Sequence, residues 1–164
     1  MVRNYLLALL LLGSMTAVGQ IAPHAAGLRF SSSDEIESVG VELSYQMGMG
    51  SANRLEIDLG WNENSFIDLF RLAGFYQWVF PIEQGFQWYV GAGGGLGLLD
   101  YDNRVVFRDD SDVFLIVGGQ AGIEYSFVEV PLQLSLDLRP EAFIGDVSDN
   151  LDIDLGFSVR YQFR

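Results

Sequence analysis

The chain has 164 residues, of which 49% are hydrophobic, and a net charge of −13 at pH 7 that grows by one unit if Arg3 is removed with a signal peptide. Such an acidic chain is a poor candidate for binding nucleic acid, because phosphate contacts need clustered arginine and lysine. The lack of cysteine excludes disulfides and thiolate metal sites. The chain has no lysine, and arginine is preferred over lysine where a charge must pair in a confined, partly dry place.

The first 19 residues predict a cleaved secretory signal peptide. Arg3 is followed by an apolar run and by the small residues of positions 17–19. The run is short for a bilayer span, so a retained membrane anchor is the less favoured alternative. The mature part, residues 20–164, is long enough for a single domain.

Eight segments of this domain predict β-strands, because apolar and polar residues alternate along them. The alternation is clearest in PLQLSLDLRPE, where leucines fill every second position. No segment between the strands has a helical pattern, so the predicted fold class is all-β. In chain order the strands are 25–30, 39–47, 53–61, 70–80, 86–99, 113–127, 131–141 and 151–163.

The connections alternate in character. Tight turns are predicted at 48–53, 81–85 and 126–131, and longer acidic connections at 31–38, 61–65, 100–112 and 144–150. In an antiparallel up-and-down barrel every second connection lies at the same end, so one end has short turns and the other has acidic loops. Short periplasmic turns and longer extracellular loops are typical of transmembrane β-barrels.

Alternation alone does not say which face points outward, since a soluble lipocalin-type barrel is also two-faced. One set of alternate positions, the apolar parity, holds aliphatic and aromatic residues and almost no charged ones, which suits a surface that faces lipid. The other is rich in glycine and has no lysine, unlike an ordinary water-facing surface. Aromatic residues also gather toward strand ends, where membrane proteins place them at the headgroup level. We therefore predict that the polar parity lines the lumen of a transmembrane barrel.

An ion-pair network is predicted inside that barrel. The interior of eight strands is just wide enough for side chains to fill, so inward charges must pair with one another. A narrow ion path is the alternative. The inward glycines of the fifth strand, Gly91, Gly93, Gly95 and Gly97, are expected to make room for arginine and tyrosine side chains from across the barrel. The predicted network consists of Arg29, Arg54, Arg71, Arg139, Arg160, Glu42, Glu56, Asp58, Glu124, Asp137 and Asp154.

The connection 100–112 has two candidate roles. Its carboxylates are hard oxygen ligands suited to calcium, although the spacing of a twelve-residue calcium loop is absent. Between them, residues 104–108 form an apolar tip that could extend two strands as a hairpin and meet an extracellular partner. A hairpin that only stabilises itself is the simpler interpretation. The weak metal candidates are Asp100, Asp102, Asp109, Asp110 and Asp112.

Catalytic and cofactor motifs are not found. The only histidine, His24, precedes the first strand and so lies at the short-turn end, away from the outer rim. The segment GAGGGLG departs from the dinucleotide fingerprint because Leu96 and Leu98 stand where a third glycine would fall. We therefore predict no enzyme activity and no cofactor.

The closing strand carries the most specific pattern. Asp154 and Gly156 are followed by Val159, Tyr161 and Phe163 at alternating positions. This ending resembles the C-terminal assembly signal of Gram-negative outer-membrane proteins, with Arg164 as a departure, since it follows the expected terminal phenylalanine. From about residue 25 onward the chain resembles the small eight-stranded outer-membrane barrels of the OmpA type, to which FYQW, PLQLSLDLRPE and RYQF are similar.

The resemblance implies insertion into outer-membrane lipid by the outer-membrane assembly machinery. Together with the composition, it predicts a non-enzymatic integral barrel with a structural role in the envelope and acidic extracellular loops that contact partners or cations. The alternatives are a small channel, a soluble lipocalin-like ligand-binding barrel and a barrel enzyme acting on lipid.

Overall fold

The structure is a computed structural model that describes residues 21–33, 39–64, 67–101, 112–144 and 151–163. The predicted signal peptide, residues 1–19, lies outside this part. Among the described residues, no helix is long and apolar enough to cross a membrane. The eight strands are β1 (His24–Ser33), β2 (Val39–Gly48), β3 (Asn53–Asn64), β4 (Ile67–Glu83), β5 (Phe86–Tyr101), β6 (Asp112–Ser126), β7 (Leu132–Ile144) and β8 (Leu151–Phe163).

The strands form a closed antiparallel barrel in sequence order. Each strand pairs with its neighbours along the chain, and β8 returns to pair with β1 from His24↔Phe163 to Ser33↔Asp154. This closure leaves no unpaired sheet edge. The predicted fold class, an eight-stranded up-and-down barrel, is confirmed.

The short-turn end of the barrel contains the connections β2–β3, β4–β5 and β6–β7. The tightest is the two-residue turn Gln84–Gly85, in which both residues have positive φ, 37° and 92°. That backbone suits the twist of a hairpin and favours glycine. A Cβ on Gly85 would also lie 2.5 Å from the Ser126 carbonyl oxygen. Both the backbone conformation and the lack of space therefore favour glycine at this position.

The opposite end, called the loop end, departs from the prediction at one connection. Residues 61–65 were expected to form a longer acidic connection, but β3 and β4 remain paired up to Asn64↔Ile67, so only residues 65–66 separate them. The prediction was wrong because the ends of β3 and β4 are rich in polar residues, a composition that is also typical of loops. The tip of the connection 100–112 lies outside the described residues.

The two faces of the barrel follow the predicted parity. In β8, from Leu151 to Phe163, outward apolar residues alternate with buried residues that are polar or, at Gly156, glycine. Outward leucines such as Leu43 and Leu155 are about half exposed, at 51% and 53%, whereas Arg29 is 0% exposed. The arrangement inverts that of a water-soluble protein.

Aromatic side chains cluster on the outer surface near the short-turn end. Neighbouring rings pack against each other with centroids 4.5–5.2 Å apart, at separations typical of aromatic pairs. The pairs are Tyr76–Trp78, Phe80–Trp88, Phe86–Tyr125, Tyr125–Phe127 and Tyr161–Phe163.

Candidate functional site in the barrel lumen

The lumen contains all eleven residues of the predicted ion-pair network. Seven of the eight strands hold them at inward positions, with β5 contributing none and β4 and β6 only one each, so the charges concentrate on the side built from β7, β8, β1, β2 and β3. Ten are buried and Arg71 is partly exposed. They are Arg29, Glu42, Arg54, Glu56, Asp58, Arg71, Glu124, Asp137, Arg139, Asp154 and Arg160.

Arg29 is held by carboxylates from three other strands, β2, β7 and β8. Its Nη2 donates to Asp137 Oδ1 at 2.7 Å, and its Nη1 donates to Asp154 at 2.7 Å and to Glu42 at 3.1 Å. Opposite the guanidinium lies Gly156, where an added Cβ would come within 2.3 Å of Arg29 Nη2. Gly156 therefore does more than fit an assembly signal, because only glycine leaves room for this arginine.

Glu56 is the hub at the middle of the lumen. It accepts hydrogen bonds from Arg139 at 2.5 Å and Arg160 at 2.9 Å, and from the amides of Gln46 at 2.5 Å and Gln120 at 3.0 Å. Four donors on one carboxylate offset much of the cost of removing it from water. Residues from β2, β3, β6, β7 and β8 are thereby tied to a single side chain.

Arg139 and Arg160 extend this hub. Arg139 Nη2 also donates to Asp58 at 2.6 Å, and its guanidinium lies 4.5 Å from the centre of the Phe75 ring. Arg160 donates to the hydroxyls of Ser44 at 2.9 Å and Ser135 at 2.8 Å. Short hydroxyls thus occupy the positions where a longer side chain would displace an arginine.

Arg54 and Glu124 form a separate pair nearer the short-turn end. The two guanidinium nitrogens donate to the two carboxylate oxygens at 2.7 and 2.6 Å, a bidentate geometry. Arg54 Nε donates to Gln77, and its guanidinium lies 4.9 Å from the Tyr89 ring centre. Among described residues, Glu124 is the only carboxylate that bonds Arg54.

Arg71 lies toward the loop end and is the least buried of the five arginines, with a side chain 15% exposed. It donates to Glu141 and lies 3.9 Å from Glu42. The network therefore continues from the middle of the lumen to the loop-end mouth.

Several lumen residues were missed at the sequence level. Glu141 and Asp152 are buried inside and face each other across β7 and β8. Both sit on the polar parity, so extending the alternation to the strand ends would have found them. Phe75 and Tyr89 are fully buried in the lumen, and no sequence signal separates such inward aromatics from outward ones on weakly alternating strands.

The prediction for the β5 glycines was wrong in its reason. A Cβ on Gly91, Gly93 or Gly95 would meet the backbone of β4, at 2.9, 2.0 and 2.3 Å, and one on Gly97 would meet the Phe114 ring of the adjacent strand. These glycines permit close approach of neighbouring strands rather than of arginines from across the lumen. Tyr89 instead fits against Gly122, where a Cβ would lie 2.6 Å from its hydroxyl.

Within the described strands, the lumen holds eight buried carboxylates and five guanidiniums. A cavity of about 10 Å³, lined by the Arg54–Glu124 pair and by glutamines, lies at the short-turn end and has room for about one water molecule. The charge network occupies the side of the lumen built from β7, β8, β1, β2 and β3, and the buried side chains of Phe75, Val79, Phe114 and Ile116 occupy the β4–β6 side.

The remaining predicted residues are outside the lumen. Val159, Tyr161 and Phe163 of the assembly signal face outward on β8, while His24 is the first residue of β1 rather than preceding it. Of the metal candidates, Asp100 and Asp112 belong to the ends of β5 and β6, and the other three lie outside the described residues. No metal-binding group of three or more histidine or carboxylate side chains occurs among the described residues.

Three solved structures resemble this barrel. Neisserial surface protein A is 17% identical, with 85% of this chain and 94% of that chain covered and a TM-score of 0.62. The N-terminal β-barrel domain of Pseudomonas aeruginosa OprF is 13% identical, with 85% and 96% covered and a TM-score of 0.66. The fold is that of small outer-membrane barrels. Ail, the attachment invasion locus protein of Yersinia pestis, is 14% identical, with 87% and 100% covered and a TM-score of 0.53.

No protein-family model and no curated protein matches the chain. The resemblance stated from the closing strand is confirmed for the fold. The outer-membrane barrel fold also agrees with the apolar outer face and the polar lumen, both of which are observed in this chain's own residues.

Proposed function

We propose that this protein is a non-enzymatic integral outer-membrane β-barrel with a structural role in the cell envelope. The observation that carries the proposal is the inversion of the two faces: large apolar side chains cover the outside, and a hydrogen-bonded network of charges is buried inside. A closed barrel with an apolar exterior satisfies every requirement that lipid places on a backbone.

A soluble lipocalin-like barrel fits this arrangement poorly. Such a barrel needs an apolar interior able to hold a ligand, whereas here Arg29, Glu56, Arg139 and Arg160 are all 0% exposed inside. In water, the half-exposed leucines, isoleucines and aromatics of the outer face would form one continuous apolar belt, far beyond the patches that soluble monomers display.

A small channel is also disfavoured by the packing of the lumen. An ion path would require at least one arginine to leave its carboxylates, and each such separation leaves a buried charge without a partner. A barrel enzyme acting on lipid is disfavoured because the one histidine, His24, lies at the short-turn end.

Targeting follows from the two ends of the chain. Residues 1–19 would direct export as a cleaved signal peptide, and Gly156, Val159, Tyr161 and Phe163 would present the closing strand to the outer-membrane assembly machinery. In this proposal the short-turn end faces the periplasm and the loop end faces outward.

The acidic outer loops are proposed to contact cations or cationic partners, chiefly through the connection 100–112. That connection has five aspartates and two arginines. Ail has been solved in complex with a heparin analogue, sucrose octasulfate. The excess of carboxylates in 100–112 disfavours a polyanion of that kind as a partner of this chain, since like charges repel.

A heat-modifiability assay tests the membrane proposal. The purified chain, refolded into phospholipid vesicles, should migrate differently on a gel before and after boiling and should resist extraction by urea. A chain that stays soluble without detergent and migrates identically under both conditions would refute the proposal.

A further inference from the structure

The outer surface has a pronounced groove across β1, β2 and β3. It measures about 470 Å³, against about 210 Å³ for a second outer groove across β5, β6, β7 and β8. Both begin near the short-turn end and have apolar walls. The larger groove is lined on the outside by Ala26, Leu28, Leu43, Tyr45, Ile57 and Leu59.

The depth of the larger groove comes from one small residue. Ala26 is paired directly with Tyr45 on β2 and with Tyr161 on β8, so an alanine lies between two tyrosines at the same level of the barrel. The next outward level is formed by Leu28 and Leu43, which are also paired. The result is an apolar notch that runs from the aromatic cluster toward the middle of the strands.

A polar pair lies at the short-turn edge of this notch. His24 Nδ1 is 2.7 Å from the Tyr45 hydroxyl, and the two rings stack with centroids 5.9 Å apart. A neutral imidazole and a phenol have two polar hydrogens between them, and their mutual bond uses one. In either tautomer, one donor of the exposed His24–Tyr45 pair is therefore left free.

The electrostatic surroundings favour an anionic acceptor for that donor. All five described arginines are turned into the lumen, which leaves His24 as the one described outward side chain able to carry a positive charge. No carboxylate lies among the outward residues of the groove. The described exposed acids Glu83 and Glu129 belong to the β4–β5 and β6–β7 sides of the barrel.

We propose that this groove is a binding site for a phospholipid, with an acyl chain along the Ala26 notch and the headgroup phosphate accepting a hydrogen bond from the His24–Tyr45 pair. The inference rests on the proposed membrane location and adds to it a specific lipid contact at one sector of the barrel. The second groove is a built-in comparison, because it is lined by Ile123, Tyr125, Leu134 and Phe157 and has no histidine in its lining.

Native mass spectrometry of the detergent-solubilised barrel tests the site. The protein is incubated with equal amounts of phosphatidylglycerol and of diacylglycerol with the same acyl chains. Wild type should retain phosphatidylglycerol in about fivefold preference, the factor that one net hydrogen bond provides. Ala26→Phe should fill the notch and reduce retention of both lipids, with Ala26→Leu as a milder version.

Two matched variants complete the design. Ala92 is also an outward alanine paired with a tyrosine, Tyr76, but on the opposite side of the barrel, so Ala92→Phe should leave retention unchanged. His24→Phe combined with Tyr45→Phe keeps both rings and removes both donors, and should abolish the phosphatidylglycerol preference. Tyr125→Phe, in the second groove, should leave that preference intact.

Each variant is first shown to be heat-modifiable, so that loss of lipid is not confused with loss of the barrel. Equal loss of lipid in Ala26→Phe and Ala92→Phe would overturn the proposal in favour of a uniform lipid belt, as would an unchanged preference after both donors are removed. Failure of the wild-type chain to form a heat-modifiable barrel would instead refute the membrane proposal itself.

Discussion

Neutralising Glu124 gives the sharpest test of the lumen network. Glu124→Gln keeps the shape of the side chain but removes the charge that pairs with Arg54. Arg54 is 1% exposed, and its two terminal nitrogens lie 2.7 and 2.6 Å from the Glu124 oxygens. After the change, Arg54 retains Gln77 as an acceptor and the Tyr89 ring, but among described residues no carboxylate bonds it.

The expected loss is large because a buried charge loses the carboxylate with which it is paired. Two unit charges about 4 Å apart attract by about 4 kcal/mol at an effective dielectric constant of about 20. Breaking a buried ion pair by removing one partner costs about 3–5 kcal/mol. Glu124→Gln should therefore lower the free energy of unfolding by about 3–5 kcal/mol. Replacing the whole pair, Arg54→Met with Glu124→Leu, should restore most of that loss, since no unpaired charge then remains.

Urea titration of barrels folded in lipid vesicles measures these free energies through the fluorescence of the three tryptophans. Glu83→Gln, at the exposed last residue of β4, is the control and should change stability by less than about 0.5 kcal/mol. A loss below about 1 kcal/mol for Glu124→Gln would show that the pair is not desolvated as described. A double variant less stable than the single one would show that packing, rather than charge, dominates.

Three further predictions follow from the membrane-spanning barrel. Leu138→Arg, at the middle of β7, should cost about 2–4 kcal/mol of folding free energy in vesicles. Leu132→Arg, at the end of the same strand, should cost only about 0–1 kcal/mol. Equal losses for the two variants would contradict the assigned outer face. In planar bilayers the wild-type protein should show no stable open channel, and reproducible conductance steps that disappear when Arg71 is changed would support the channel alternative. Deleting residues 161–164 should prevent insertion, whereas replacing residues 103–108 by a Gly-Asn turn should leave insertion intact. Loss of the heat-dependent shift on the gel in both variants would argue against the assigned topology.

Much of the architecture was determined by local sequence. The eight strands and the face of each were predicted because side chains alternate with a period of two, so the polar or apolar character of a residue such as Leu136 or Asp137 assigns its side of the sheet. The same rule placed Arg29 and Arg160 inside.

The pairing of charges was decided only by the tertiary structure. Arg29 binds Asp137, 108 residues away, and Arg54 binds Glu124, 70 residues away. Alternation indicates that each points inward, but the carboxylate that each guanidinium meets depends on the stagger between strands when the barrel closes. That stagger is a property of the whole sheet, so no single strand encodes it.

The same distinction explains the errors at β5 and between β3 and β4. The spacing of the β5 glycines predicts a stretch of lumen wall without side chains. What occupies the free space depends on how closely the neighbouring strands pack. It could be the β4 backbone, the Phe114 ring or an arginine from across the barrel. The residue at which a strand such as β3 ends likewise depends on whether the neighbouring strand continues beside it. Asn64 stays paired with Ile67 because of hydrogen bonding between the strands more than because of residue type. The sequence by itself determined which charged side chains enter the lumen, and only the closed barrel determined which of them touch.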